Sequence, residues 1–421
     1  MKIIVLDGNE NQAVASVRSL ARAGHHVVVG APTGWSKAGW SRYCKETFVY
    51  PAPQRDASAF VERVVQEARR ERGTLVMPMT ERTTLPLSAE RERIFAAGGR
   101  MVMPDHETVL CAFDKRRTTR LASELGIAIP RTALITEPNQ TEEAVRIVGL
   151  PAVIKPCSSE EVTASGKVRA TGAPSYARTF DEFVAACDEM RQRCRAIIAQ
   201  EFIPGGGEGY FALIRNREPR AEFAHRRIRD VRPTGSGSAL RESAYPDENL
   251  RNAGLAVLRA LNWRGVAMVE FRRKPDGELV FLEVNGRFWN SLPLAVYAGA
   301  DFPAMLAEMA EHGDVKAARP YREGVRCRWL LGDFRHLIEV LRGAPPGFPG
   351  AYPNRWRALV DFLTLTPGVR HDNFMLRDPL PELGDWLDFA LRRLPAGLRR
   401  SSDEKEGEGR GLNVQRSDSS T

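Results

Sequence analysis

Apolar and polar positions along the first hundred residues fall into blocks that switch between two periods. The run "KIIVL" at residues 2–6 ends abruptly at Asp7-Gly8-Asn9, and a short apolar run closed by turn residues reads as a buried strand. After the turn, Val14, Val17, Leu20 and Ala21 recur on one helical face, and "HHVVVG" is again extended. A helix over residues 57–71, the run "TLVMPM" and a further strand "RMVMP" at 100–104 continue the alternation. Strands alternating with helices predict a parallel sheet covered on its faces. No GxGxxG follows the first strand, which removes the main support for a dinucleotide site.

From "CAFDKRRTTRLASELGIAIPRT" the texture changes. A helix carrying Lys115 and a second helix at 140–148 lead to the strand "PAVIKP" with Lys155. The stretch "CSSEEVTASGKVRATGAPS" is too irregular for an element, and loops of that length are functional lids or disordered. A helix near 179–193, the strand "AIIAQEFI", the glycines of "PGGGEG" and the helix "ENLRNAGLAVLRALN" follow. Then "GVAMVEFRRKPDGELVFLEVNGR" sets two apolar runs around Asp276-Gly277, a hairpin signal because both turn residues tolerate positive φ. A two-residue loop there places Glu270 opposite Glu283 and Met268 opposite Asn285. Like charges across a ladder repel. Solvent with Arg272 and Arg273 would neutralise them on an exposed hairpin, and a hard divalent cation on a buried one. Two carboxylates and an amide oxygen suit Mg²⁺, and Arg287, two residues on, suits a phosphate or carboxylate.

At 421 residues the chain has room for two or three domains, and 43% hydrophobic with 27% charged residues is the composition of a soluble globular protein. No apolar stretch reaches membrane-spanning length, and "MKIIVLD" is too short for a signal peptide, so a cytoplasmic protein is expected. Six scattered cysteines without a CxxC point to reduced thiols and away from zinc. A net charge of +8 suggests an acidic partner. The basic residues are interleaved with 53 acids, which argues against a nucleic-acid face. Only nine of 61 basic residues are lysines, so Lys115, Lys155 and Lys167 stand out as positions needing a compact point charge. In "AHRRIRDVRPTGSGSALRES", strand alternation sets His225, Arg227 and Arg229 on one face. With Arg241 they form either a solvated basic face or a pocket for an anionic substrate; His225, Arg227 and Arg241 are the candidates.

Taken in order, the helix at Asp114-Lys115, the Lys155-Pro156 strand, "QEFIPGGGEGY", the acidic hairpin and "LEVNGRFWNSLPLAVYAGADFP" resemble the ATP-grasp superfamily. The Glu-x-Asn-x-Arg-Phe-Trp signature is most similar to its uncharacterised carboxylate–amine ligase branch, and the resemblance runs from Met1 to about residue 310. It implies a mixed α/β and α+β chain. A Rossmann-like pre-ATP-grasp domain would occupy residues 1–110 and a two-subdomain ATP-grasp fold residues 111–310. Within the latter, the lid would span about 130–205 and the metal-binding subdomain about 206–310. A helical or mixed extension over 311–398 and a disordered tail over 399–421 would follow. The resemblance further implies ATP and Mg²⁺, with Mn²⁺ as a substitute. Glu270, Glu283 and Asn285 would be metal ligands, Arg287 and Lys155 would act in catalysis, and Lys115, Lys155 and Lys167 would lie along the phosphates. Glu201, Phe202 and Ile203 would clamp adenine, and Glu208 would accept from ribose. The implied activity joins a carboxylate to an amine through an acyl phosphate, in an enzyme that can form a homodimer. A bicarbonate-activating carboligase and a non-catalytic ATP- or RNA-binding protein stay open as alternatives.

Overall fold

The computed structural model of the chain describes residues 1–157, 160–162, 168–170, 173–192, 194, 196–315, 320–364, 366–391 and 393, with the backbone alone for 160–162, 168–170 and 236. Strands β1 (Lys2–Val5), β2 (His26–Ala31), β3 (Glu46–Val49) and β4 (Leu75–Met77) form a parallel sheet in the order β3-β2-β1-β4. Every residue of β1 is buried, as befits a strand covered on both faces. The edge strand β3, "ETFV", buries only Phe48, so its pattern is too weak to announce it. The expected strand "RMVMP" reduces to an isolated bridge between Arg100 and Leu75. Its chain leaves the sheet before Pro104, whose missing N–H cannot extend a ladder.

The second sheet contains β5 (Thr132–Ile135), β6 (Ala152–Pro156), β9 (Ser175–Ala177) and β10 (Ile197–Glu201) in the order β5-β10-β6-β9. Helices Thr141–Val148 and Phe180–Arg191 cover one face, and Ile135, Ile154, Phe183 and Ile197 fill the core between. Register pairs Lys155 with Ile198, and Val153 with both Gln200 and Tyr176. Because cross-strand partners share a face, Lys155, Tyr176 and Gln200 project from the side opposite that core. Between β6 and β9, β7 (Glu160–Val162) and β8 (Val168–Ala170) pair antiparallel. The stretch expected to lack any element therefore contains a short ribbon, which its polar composition hides. Lys167 lies outside the described residues.

The third sheet is built from β11 (Gly206–Arg215), β12 (Glu218–Arg232), β13 (Ser236–Ala244), β14 (Gly265–Arg273), β15 (Leu279–Asn285), β16 (Arg326–Arg328) and β17 (Arg370–His371), in the order β15-β14-β11-β12-β13-β16-β17. Tyr210, Ala212, Val269 and Phe271 pack on one face with Leu255 and Leu258 of helix Glu248–Ala260. Phe211, Phe223 and Met268 occupy the other face, in a core that includes Trp289, Leu306 and Val14 of the first domain. One apolar core thus joins the N-terminal domain to the large sheet. The last third of the chain is joined to it as well: β16 pairs with β13, and Arg241 is fully buried against Asp372 at 2.5 Å. No helix among the described residues is long and apolar enough to cross a membrane, and all six cysteines are free.

Candidate active site

The hairpin β14–β15 pairs Glu270 with Glu283 and Met268 with Asn285. The expected register is present, but it is reached by a different route. Lys274 N–H donates to Glu278 O at 2.9 Å and Arg273 pairs with Leu279, so the loop is longer than two residues. A bulge between Glu270 and Phe271 on one strand and Glu283 and Phe281 on the other then shifts the ladder by one. One extra residue on one strand re-aims every side chain beyond it, and the two departures cancel. Both carboxylates consequently lie on the Met268 side of the sheet, toward the N-terminal domain.

Cations surround the acidic pair. Lys115 Nζ is 3.0 Å from Glu283 Oε2, and Arg227 Nη2 donates to Glu270 Oε1 at 2.6 Å. Asn285 Nδ2 donates to Glu283 Oε1 at 3.2 Å, and Arg287 Nη2 donates to Asn285 Oδ1 at 2.7 Å. Lys115 opens helix Lys115–Glu124, whose N-cap Asp114 accepts from the Arg116 and Arg117 N–H groups. Its own N–H donates to Cys157 O at 2.9 Å, just past β6, which ties the helix start to the strand carrying Lys155. Burial alone would raise the Glu283 carboxyl, but Lys115 and Lys155 hold it down at about 2. Burial, reinforced by repulsion from Lys115, lowers Lys155 to about 8. Burial would also lower Lys115, yet Glu283, Glu81 and Glu270 raise it. Lys115, Lys155, Glu270, Glu283, Asn285, Arg287 and Arg227 are thus one electrostatic cluster. No group of three or more His, Cys, Asp or Glu among the described residues is placed to hold a metal ion by itself. Two carboxylates and an amide oxygen are nevertheless a donor set that fits Mg²⁺, which keeps several water and phosphate ligands.

The remaining candidates lie in varied settings. The Glu201 N–H donates to Arg131 O and the Phe202 N–H to Pro151 O, each at 3.0 Å, and Arg131 Nε donates to the Glu201 carboxylate at 2.6 Å. Ile203 is buried, and its carbonyl accepts from Arg272 Nη1 at 3.1 Å. Both oxygens of Glu208 are held by Arg273 at 2.8 Å. The basic stretch on β12 and β13 divides. Arg227 reaches the acidic cluster, while its register partner Arg241 points to Asp372. Bulges follow Arg227, and Arg229 pairs with Asp333 instead. His225 Nε2 lies 2.8 Å from Ser291 Oγ, with its ring 4.8 Å from Phe211. Burial, with Arg227 and Arg241 nearby, keeps this imidazole neutral far below its ordinary range.

One acid beside the cluster escaped the sequence reading. Glu81 begins helix Glu81–Ala89, is 8% exposed, and its Oε2 is buried without a hydrogen-bond partner. Burial raises its carboxyl against the lowering pull of Arg287 and Lys115, which places it within their field. The available signal was positional. Glu81 follows the C-terminal end of a parallel strand, where open α/β sheets bind ligands.

No protein-family model matches the chain. It is 26% identical over 230 residues to the carbamoyl phosphate synthase large chain of Methanoculleus marisnigri, covering 52% of this chain and 20% of that one. It is 29% identical over 188 residues to D-alanine–D-alanine ligase B of Chromobacterium violaceum, covering 41% of this chain and 57% of the relative. Each match therefore spans less than two thirds of the relative. In three dimensions it is similar to biotin carboxylase from Campylobacter jejuni, with a TM-score of 0.60 and 12% identity over 77% of this chain and 74% of that one. The chain has the ATP-grasp fold: a parallel N-terminal sheet precedes an antiparallel sheet and a larger one that is antiparallel except for β16–β17, with the acidic hairpin on the larger.

Proposed function

We propose that the protein is an ATP- and Mg²⁺-dependent ligase that activates a carboxylate as an acyl phosphate and joins it to an amine, releasing ADP and phosphate. One observation carries the reading. Two carboxylates oppose each other on a hairpin, with Lys115 paired to Glu283 and Arg227 to Glu270. Glu270, Glu283 and Asn285 would hold Mg²⁺, or Mn²⁺ in its place, and the ion would supply charge neutralisation along the phosphates. Lys115 would then leave Glu283 for phosphate oxygens, with Lys155 beside it. Residues 201–203 and Glu208 would form the nucleoside end of the same cleft. The ligase name of one relative and the nucleotide named with the solved neighbour agree with this assignment.

The chemistry follows from charge. A substrate carboxylate oxygen bonds to the γ-phosphorus as the bond to the bridging oxygen of ADP breaks. The amine nitrogen then attacks the acyl carbon, phosphate leaves, and the amine proton passes to a base. Both steps develop negative charge on oxygen, so fixed cations accelerate them more than a protein nucleophile would. Arg287, fixed through Asn285 and Phe288 O, is placed to meet that charge. Incubation with ATP, Mg²⁺, a panel of acids and hydroxylamine should trap the acyl phosphate as a hydroxamate. Absence of hydroxamate and of ADP across a broad panel refutes the ligase. ADP release that depends on bicarbonate alone identifies a bicarbonate-activating carboligase instead. Sedimentation of the same sample decides whether the protein is a dimer.

A further inference from the structure

We infer that the proline-rich segment after helix Leu330–Arg342 is a strap that fixes the β5-β10-β6-β9 lid, with Phe348 as a positioning residue for the nucleotide hinge at Glu201–Ile203. The inference rests on the ligase reading only for what the hinge binds. The segment reads "GAPPGFPGAYP" over residues 343–353, with four prolines that fix φ and three glycines that allow close backbone approach at a cost in ordering. Its far end is rooted in the body of the molecule: the Tyr352 hydroxyl donates to Glu339 O at 3.0 Å, and Tyr352 packs against the Leu337, Val340 and Ala358 cluster.

Its middle is rooted in the lid. Phe348 is 5% exposed, with ring centroids 5.1 Å from Tyr176 and 5.8 Å from Phe202, both edge-on. The Phe348 carbonyl accepts from Arg178 Nη2. Gly347 adopts φ +70°, and a Cβ there would stand 2.4 Å from Tyr176 O, so backbone lies directly on backbone. Arg272 completes the clamp from β14, with its guanidinium 5.8 Å from the Phe202 ring centroid and a bond to Ile203 O. The hinge residue Phe202 is therefore held between a lid residue, a body residue and the strap. Tyr176 shares with Lys155 the face turned away from the lid's own core. The strap thus fixes the angle at which Lys155 faces the acidic hairpin.

Edge-on aromatic pairs hold geometry beyond their buried area, and loss of two such pairs weakens ATP binding about tenfold. The full-length protein is titrated calorimetrically with MgATP, as wild type and as Phe348→Ala, Phe348→Leu and Phe348→Trp. The expected result is weaker binding for Ala and Leu, rescue by Trp, and a KM for ATP that rises while kcat holds. Trp386→Ala, which removes aromatic contacts of the same extension to Phe334 and Phe389 remote from the lid, should leave affinity unchanged. Equal affinity of Phe348→Leu and wild type overturns the strap. If wild type binds no MgATP, the ligase reading fails, and hydrogen exchange then tests the strap by itself. Faster exchange of β9 and β10 in Phe348→Leu sustains it, and unchanged exchange overturns it.

Discussion

Two charged clusters in this molecule use the same residue types and behave oppositely. At the hairpin, Lys115 and Arg227 hold Glu283 and Glu270, whose side chains are still 28% and 15% exposed. Behind the neighbouring strands, Arg241–Asp372, Arg18–Asp378 and Lys37–Asp385 form a second cluster, and there no side chain is more than 6% exposed. The carboxylates of the second cluster are held by its own partners: Asp372 also accepts from Asn11 and the Cys327 thiol, and Asp385 accepts from Trp329 and Asn373, although Arg241 Nε and Asn373 Oδ1 are left without a partner. In the first, like charges face each other across a ladder and a neighbouring acid, Glu81, keeps an unpartnered oxygen. A closed cluster holds elements together, whereas an open one leaves charge that a bound ligand would satisfy. Arg227 and Arg241 make the point most sharply, since they are register partners and belong to different clusters.

The largest expected effect separates the two. Glu283→Ala should abolish ADP formation by a factor of about 10³ or more, because charge stabilisation at the transferring phosphate fails. Its urea midpoint should change little beside that loss. A variant retaining a tenth of wild-type turnover would remove the hairpin from the reaction. Next comes Asp372→Ala, which leaves Arg241 buried without its partner and should cost about 3–5 kcal/mol in stability. Chemical denaturation reads this directly, and the folded fraction should still bind MgATP with wild-type affinity. Arg241→Met with Asp372→Leu should recover much of the loss, since removing both charges also removes the burial penalty. If the double variant is no better than the single, the loss lies with the other partners of Asp372, Asn11 and Cys327, rather than with the bare Arg241 charge. Glu81→Gln is a smaller perturbation: it removes a charge beside Arg287 and Lys115 while keeping shape. The KM of the acceptor amine should rise roughly tenfold if the acid holds an ammonium group, and an unchanged KM returns Glu81 to a structural role.

The open cluster was more legible in the sequence than the closed one. Glu270, Glu283, Asn285 and Arg287 stand on one hairpin, where period and turn chemistry predict facing, and Lys115 and Lys155 are conspicuous in an arginine-rich chain. That register survived only because a longer loop and a bulge offset each other, and neither is written in the alternation. The closed cluster joins residues more than a hundred positions apart, such as Arg18 with Asp378 and Lys37 with Asp385, so no local pattern could reveal it. For the same reason Arg241 read as a substrate cation. The basic stretch looked continuous because sequence does not show the bulges after Arg227 that turn Arg229 toward Asp333. The parallel N-terminal sheet was legible from the alternation of periods. The weak edge strand β3 and the ribbon β7–β8 were not, since each lacks an apolar run.

The subtlest way to sharpen the comparison uses pH at Lys155, which belongs to the open cluster and is held at about 8 by burial and by Lys115. Its folded value lies below its ordinary one, so between about 8 and 10.5 the unfolded chain binds the proton and the folded chain does not. Stability from this group therefore grows as pH rises through that window. Nucleotide binding should move the opposite way. Phosphate oxygens favour the charged amine, so binding above pH 8 must draw a proton from solvent, and affinity should fall by at most about tenfold per pH unit. Calorimetric titration with MgATP at pH 9 in buffers of different ionisation enthalpy should register uptake approaching one proton, fading toward pH 7. Lys155→Met should remove the uptake and, below pH 8, stabilise the ligand-free protein by relieving the buried charge. Uptake that persists in Lys155→Met would transfer the titration to another group and separate Lys155 from the phosphates.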